Sequence, residues 1–146
     1  MGAVFEFIAV LAALHFSGAA IYISLVEHPA RMACGTELAA TVFGPSYRRA
    51  VLLQVSLALA AATAGVAVWS VNGPVLWVIG AMLTFAVIPF TVVAIAPTNR
   101  WLLSPEVDRA SAATHRLLLR WGKLHAVRGA LGFAASVVFL SLVIWS

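Results

Sequence analysis

The chain has too few charged residues for a soluble domain and too few cysteines for a disulfide-stabilised one. Charged side chains make up 10% of its 146 residues, and hydrophobic residues make up 63%. A soluble domain carries about 25% charged residues, which cover its surface. Most of this surface is therefore predicted to face lipid. Cys34 is the one cysteine, so an intramolecular disulfide is excluded.

A nucleic-acid partner is not predicted, although the formal net charge is +4. The basic residues border apolar segments, and the sequence has no nucleic-acid-binding motif. Membrane topology and anionic lipid headgroups explain such a distribution of charge better. The predicted partner of this surface is the lipid bilayer.

Basic side chains are missing from both termini and from residues 71–74. All nine fall in two segments between apolar runs: Arg31, Arg48, Arg49, Arg100, Arg109, Arg116, Arg120, Lys123 and Arg128. Lys and Arg near the ends of membrane helices stay on the cytoplasmic side. The pattern predicts a multi-pass protein of the cell inner membrane, with both termini outside and both basic segments inside.

The apolar runs predict an all-α bundle of four transmembrane helices in a single integral membrane domain. The predicted spans cover about 3–26, 50–71, 75–96 and 124–145. Each has about the 20 residues that cross the hydrocarbon layer as a helix. The first basic loop, about 30–44, is mildly apolar and is compatible with a short interfacial helix.

Proline, glycine and serine predict where these helices begin and end. Pro29 predicts the end of the first helix, because the residue before a proline disfavours helical geometry. Residues 72–74 predict a tight turn between the second and third spans. Ser104 and Pro105 predict a helix start that continues to Trp145. That helix would be about twice as long as the hydrocarbon layer is thick. Its first part is therefore predicted to be a cytoplasmic or interfacial extension before the fourth span.

Small residues recur at helical spacing in the second and fourth spans. They are Ser56, Ala60 and Ala64, or Ala58, Ala62 and Gly65, in the second span, and Gly122, Gly129 and Gly132 in the fourth. In lipid, small side chains let helices approach closely. The pattern indicates either packing within the bundle or a homo-oligomer interface. The five tryptophans lie near predicted span ends, which is typical of an aromatic belt.

Ionisable and amide side chains gather at the predicted cytoplasmic ends of the four spans. They are Glu27 and His28 in the first, Tyr47, Arg48 and Gln54 in the second, Asn99 after the third, and His125 and Arg128 in the fourth. Such groups near a membrane segment are candidates for function because burying them is costly. They form either an interfacial network that fixes topology or a pocket for a ligand or for catalysis.

The histidines predict no metal site on any one helix. No two histidines stand three or four residues apart, so one helix face cannot supply a pair of ligands. A metal site would need ligands such as Glu27, His28 and His125, which come from more than one helix. Its metal would be copper or iron, and the absence of any cofactor is the alternative. His15 lies near the middle of the first span. There it is either a buried neutral group bonded to a neighbouring helix or a group that faces substrate.

Four short motifs together resemble a known family of membrane proteins. They are EHPAR at 27–31, PSYRR at 45–49, PTNR at 97–100 and LHAVR at 124–128. With them the chain resembles, over nearly its whole length, the bacterial branch of the small four-helix membrane proteins grouped with anthrone oxygenases. The resemblance implies the four-helix fold. Fungal members of the wider group are similar to enzymes that oxidise an anthrone methylene to a quinone carbonyl.

The resemblance implies an oxidoreductase of the oxygenase type that acts on a lipophilic aromatic compound, such as an anthrone, a phenol or a quinone. The reaction would take place in a polar pocket on the cytoplasmic side. His125 would be the base, oriented by Glu27, while Arg128 and Asn99 would stabilise an enolate oxygen. The substrate would also contact Tyr47, Arg48, Gln54 and His15. The carbanion would react with O₂ directly or at a metal. The alternative is a membrane accessory protein or small-ligand carrier without enzymatic activity.

Overall fold

Four long helices make up nearly all of the computed structural model, which describes residues 2–145. They are α1 (Gly2–Ala33), α2 (Thr36–Ser70), α3 (Leu76–Leu102) and α4 (Ala112–Ile144). The described residues contain no strand. Each helix is long and apolar enough to cross a membrane. The predicted all-α membrane bundle of four helices is confirmed.

The four helices form a ring in which each helix packs on its two sequence neighbours and α4 closes the ring on α1. Consecutive helices run in opposite directions because their connections are short. The two connections that follow α1 and α3 therefore lie at the same end of the bundle. Most of the basic side chains flank these two connections, so we call this end the basic end. The turn after α2 lies at the other end, together with the start of α1.

The helices are longer than a bilayer requires. The longest, α2, has 35 residues and extends about 52 Å at 1.5 Å per residue. The hydrocarbon layer is about 30 Å thick. About 20 residues, counted from the turn at 71–75, are enough for α2 or α3 to span that layer. Each of these helices therefore has residues to spare at the basic end.

Small residues close the half of the bundle that is away from the basic end. Alanines of α1 and α2 pack there against Trp77 and Phe139 in one buried cluster. A Cβ atom built on Gly80 would stand 2.4 Å from the ring of Phe139, and one on Gly132 would stand 2.4 Å from the ring of Phe16. Glycine is therefore required at both positions for the helices to approach this closely.

Several of the small residues that recur at helical spacing pack inside the bundle. Gly122 and Gly132 of α4 contact side chains of α1 across the helix interface. Ala58, Ala62 and Gly65 of α2 are likewise buried inside the protomer. Packing within the bundle therefore accounts for these positions. A homo-oligomer through other helix faces stays a prediction.

The sequence predicted that the first helix ends at Pro29, and this prediction is wrong. It passes through a π-helical segment, Ile23–Glu27, and continues to Ala33. The backbone N–H of His28 bonds to the carbonyl of Ile23, five residues earlier. Proline has no backbone N–H to donate, and the wider π turn lets the helix continue past it without a sharp break.

The third helix also has a π turn before a proline, at the same end of the bundle. Its π segment, Thr91–Ile95, is closed by a bond from the Ala96 N–H to the Thr91 carbonyl, and Pro97 follows. The predicted third span ended at 96, but the helix continues to Leu102. Both helices with their carboxyl ends at the basic end therefore carry a π turn directly before an X-Pro pair.

The second helix begins far earlier than predicted. The expected loop over 30–44 is reduced to Cys34 and Gly35, with a positive φ of 98° at Gly35, and α2 starts at Thr36. Pro45 lies inside this helix. The first turns of α2 bury Ala39, Ala40 and Phe43 against side chains of α3 and α4, and this burial explains why helix forms here despite the proline.

The fourth helix begins later than predicted. Ser111, rather than Ser104, caps it, because the Ser111 hydroxyl accepts the Thr114 N–H at 3.1 Å. Ser104 instead accepts the N–H of Glu106 in a turn. The Asp108 carbonyl accepts from the Thr114 hydroxyl at 2.7 Å, which fixes the loop against the new helix start. The predicted extension before the fourth span exists, but it starts at Ala112.

Candidate functional site

A cavity of about 220 Å³ lies inside the bundle towards the basic end. A single water needs only about 10–15 Å³ by this measure, so the cavity accommodates a larger molecule. All four helices contribute to its wall. The lining includes Ile23, Arg31, Phe43, Ser46, Tyr47, Gln54, Val55, Val92, Asn99, Trp121, His125 and Arg128.

His125 of α4 is 2% exposed and lines this cavity. Its Nδ1 atom lies 3.0 Å from the hydroxyl oxygen of Ser24, which belongs to the π segment of α1. The imidazole also stacks on Trp121, one turn earlier on α4, with ring centroids 4.7 Å apart. The ring is thus fixed on one edge by a hydrogen bond and on one face by an aromatic contact.

Aromatic rings continue from Trp121 along one wall of the cavity. Phe43 meets Trp121 edge to face at 5.3 Å and stacks on Tyr47 at 5.8 Å. His28 packs on Trp121 at 5.2 Å from outside the cavity lining. Trp121 is buried, so it belongs to the site and not to the predicted aromatic belt. Such a row of rings holds the wall rigid and presents flat apolar surface to a ligand.

Arg128 brings a positive charge to the cavity without a carboxylate beside it. Its guanidinium donates to the side-chain oxygen of Gln54 and lies over the ring of Phe16 at 5.1 Å. Its Nε atom is buried without a hydrogen-bond partner. Within residues 2–145 the one ion pair joins Glu27 and Arg31. The Arg128 charge is therefore available to a negative group in the cavity.

Asn99 of α3 presents an unpartnered amide to the same cavity. The residue is 3% exposed, and neither its Oδ1 nor its Nδ2 atom has a hydrogen-bond partner among the described residues. A buried polar group without a partner costs about 1–3 kcal/mol. Such a group in a ligand-sized cavity is typical of a site that completes its hydrogen bonds only when a ligand is bound.

Glu27 does not contact His125, which the sequence predicted it would orient. The Glu27 carboxylate pairs with Arg31 at 3.2 Å, one helical turn away, and accepts the Ser46 hydroxyl at 3.2 Å. It does not belong to the cavity lining. Glu27 thus ties α1 to α2 beside the cavity, and Ser24 takes the position beside Nδ1 of His125.

The predicted metal ligands Glu27, His28 and His125 do not converge. Within residues 2–145 no three His, Cys, Asp or Glu side chains are placed to hold a metal ion. His28 packs between Trp121 and Gly122, where a Cβ atom on the glycine would stand 2.6 Å from its Nε2. The donor set of this site therefore does not fit copper or iron.

Two of the four residues predicted to contact substrate lie outside the cavity. Arg48 is exposed and donates to the Gly44 carbonyl on its own helix. His15 is exposed at mid-helix and bonds to the Leu11 carbonyl at 2.8 Å. Tyr47 and Gln54 do line the cavity, as do Asn99, His125 and Arg128. The structure thus brings together five of the nine residues that the sequence predicted as site residues.

The sequence interpretation missed Ser24, Phe43 and Trp121, and assigned Arg31 only to topology. A serine or an aromatic residue inside an apolar run does not stand out by composition. The available signal was the repeated X-Pro pair at the ends of the first and third apolar runs. Proline at those positions predicts a local departure from α-helix, and π turns are frequent at functional sites.

Comparison with known proteins identifies the family. The family model described as anthrone oxygenase matches residues 40–138. The chain belongs to the anthrone oxygenase family. One curated member, the anthrone oxygenase tpcL of Aspergillus fumigatus, is 37% identical over 70 residues, which cover 46% of this chain and 44% of that protein. The chain thus matches less than half of that protein's length. No solved structure matches the chain.

The family match covers the cavity residues of three helices. Residues 40–138 include Gln54, Asn99, His125 and Arg128. The part of the site that α1 supplies, with Ser24 and Arg31, lies before the match. The cavity therefore combines side chains from the matched part of the chain with side chains from a helix that precedes it.

Proposed function

We propose that this protein is a membrane-embedded oxygenase that oxidises an activated C–H group of a lipophilic aromatic substrate, such as an anthrone or a related phenol, in the cavity at the basic end. The observation that carries the proposal is that the unpartnered Asn99 amide, His125 and Arg128, whose charge has no carboxylate partner, line one cavity. The amide and the guanidinium suit a substrate oxygen that becomes negative during the reaction, and the imidazole suits the removal of a proton. Family membership supports the same reaction class.

The cavity wall supports entry from the bilayer. Val55 of α2 and Val92 of α3 both line the cavity and are 38% and 61% exposed on the outer face of the bundle. Both side chains are apolar, and their exposed parts would meet lipid between α2 and α3. This part of the wall suits the entry of a flat hydrophobic molecule dissolved in lipid.

The reaction begins with removal of a proton from carbon. The methylene of an anthrone is acidic because the two aryl rings conjugate it with the ketone on the opposite side of the central ring, so its carbanion is the extended enolate of that ketone. His125 takes the proton, while Arg128 and Asn99 donate hydrogen bonds to the enolate oxygen. Donors fixed before the reaction stabilise developing charge better than water does, because they need not reorient.

The electron-rich enolate carbon then reacts with O₂. A C–O bond forms, O₂ is reduced to the peroxide level, and a proton from the His125 imidazolium gives a C–OOH group. His125 removes the second proton from the same carbon. The O–O bond breaks, a carbonyl forms, and the leaving hydroxide takes that proton as water. In sum, CH₂ and O₂ give C=O and H₂O. No step passes through a metal, because the donor set does not fit one.

The experiment uses the purified full-length protein in detergent with anthrone as the probe and ¹⁸O₂ as the gas. We expect one ¹⁸O atom in the new carbonyl of the quinone at a rate that scales with protein. Oxidation at the rate of protein-free detergent would overturn the proposal. If anthrone then still bound with a defined stoichiometry, the protein would be a carrier or an accessory protein.

We also propose that the basic end faces the cytoplasm and that the membrane is the inner cell membrane. The nine basic residues at or near this end support it, since cytoplasmic loops carry the excess of Lys and Arg. An enzyme reporter that works only outside the cytoplasm, fused after Ser146, should be active. A reporter that works only in the cytoplasm should be silent there, and its activity would contradict the orientation.

A further inference from the structure

Ser24 contacts one of the two ring nitrogens of His125. A neutral imidazole carries one N–H, on either Nδ1 or Nε2. Nδ1 lies 3.0 Å from the Ser24 hydroxyl, and this is the one hydrogen bond that His125 side-chain atoms make within the described chain. Nε2 is thus the nitrogen that is available to a molecule in the cavity.

We infer that Ser24 is the positioning residue of His125, and that it accepts the Nδ1–H so that Nε2 is the basic nitrogen presented to substrate. The inference rests on the proposed function of the cavity. Ser24 fills the position that a carboxylate or carbonyl fills beside other catalytic histidines, where the partner of one ring nitrogen decides which nitrogen can act. A serine does this in lipid without a second buried charge.

The π segment explains how Ser24 comes to face α4. Residues in a π turn are rotated from the faces they would occupy in a regular α-helix. Ile23–Glu27 is the π segment, and it places Ile23 in the cavity wall and Ser24 on His125. Glu27, the last residue of the segment, pairs with Arg31 of the cavity wall. The π turn before Pro29 therefore both lets the helix continue past the proline and places Ser24 beside His125.

A second serine pair provides a matched control. Ser17 of α1 and Ser136 of α4 join the same two helices through their hydroxyl oxygens, which lie 3.0 Å apart and are buried. Neither residue lines the cavity. Ser17→Ala removes a hydroxyl contact between the same helices but does not touch His125, so it separates loss of packing from loss of positioning.

The kinetic test compares Ser24→Ala, Ser24→Thr and Ser17→Ala in anthrone oxidation. We expect Ser24→Ala to lower kcat roughly tenfold, the order that one hydrogen bond contributes, with KM little changed. Ser24→Thr keeps the hydroxyl and should restore most of kcat, and Ser17→Ala should keep the parent kcat per folded protein. An unchanged kcat in Ser24→Ala, or an equal loss in Ser17→Ala, would overturn the inference.

A spectroscopic test does not depend on turnover. In protein labelled with ¹⁵N-histidine, the His125 signals are assigned as those absent from His125→Ala. We expect protonated Nδ1 and unprotonated Nε2 in the parent, and a mixture of tautomers in Ser24→Ala. Protonated Nε2 in the parent would mean that Ser24 donates to Nδ1, which overturns the inference even if anthrone is oxidised. The expected tautomer without oxidation would instead count against the proposed function alone.

Discussion

The two halves of the bundle use the same four helices for opposite purposes. Away from the basic end, alanines and glycines bring the helices into contact, and Gly80 and Gly132 admit the rings of Phe139 and Phe16. Towards the basic end, two π turns and large side chains keep the helices apart around a cavity. In lipid, close packing of helices requires small residues, whereas a cavity requires larger side chains that support its wall.

The polar groups are distributed in the same way. In the tightly packed half, buried hydroxyls such as Ser17 and Thr84 bond to a neighbouring serine or to their own helix. In the cavity half, Asn99 and the Nε atom of Arg128 have no partner among the described residues. The buried polar groups named in the first half thus have hydrogen-bond partners within the protein, whereas those in the second half can gain partners from a bound molecule.

The largest expected effect is on catalysis in the cavity half. His125→Ala should lower the rate of anthrone oxidation by about 10²–10⁴-fold, the range for loss of a general base. His15→Ala is the matched control, because that imidazole bonds only to its own helix on an exposed face. It should keep the parent rate. Equal activity of folded His125→Ala and parent in an oxygen-uptake assay would end the assignment of His125 as base.

Filling a glycine in the tightly packed half should reduce stability. Gly80→Val places its Cβ 2.4 Å from the Phe139 ring and should cost about 1–3 kcal/mol through overpacking, seen as a lower Tm in detergent. Gly18→Ala is the control, since no atom lies within 4 Å of the added methyl group. A parent-like Tm for Gly80→Val would show that the helices do not approach as closely as described.

The guanidinium of Arg128 should matter by its shape as well as its charge. Arg128→Lys keeps one positive charge but loses the planar fork that reaches Gln54 while lying over Phe16. We expect kcat/KM for anthrone to fall roughly tenfold, the order of one hydrogen bond to a charged group. Arg120→Lys, on the exposed face of the same helix, should leave it unchanged. Parent-like kcat/KM in Arg128→Lys would reduce the role of Arg128 to that of a general positive charge.

The sequence was sufficient for the bundle because composition and charge act over whole helices. Long apolar runs separated by basic segments predict four membrane helices whatever the local details. Composition and charge do not locate the ends of a helix where tertiary contacts decide them, so the predicted starts of α2 and α4 were wrong. Burial of Phe43 against α3 and α4 extends α2 past Pro45, and contacts of Asp108 select Ser111 instead of Ser104 as the helix cap.

The site was predictable where its residues are conspicuous. Asn99, His125 and Arg128 stand out as polar groups at the ends of apolar runs, and they do line one cavity. Glu27 stands out equally, yet its nearest cation, Arg31, lies four residues away on the same helix and forms the pair. Ser24 is less conspicuous. Pro29 signals a distorted helix before it, but it does not indicate that the π turn brings Ser24, and no other residue, to His125.

The most direct test of the division between the two halves is Asn99→Leu, measured for both stability and anthrone binding. Leucine has nearly the shape of asparagine and removes two buried polar atoms that lack partners. Thermal unfolding should therefore show a gain of about 1–3 kcal/mol, while titration with anthrone should show weaker binding and turnover should fall. A variant that is less stable than the parent, with binding and turnover in proportion to folded protein, would contradict the account.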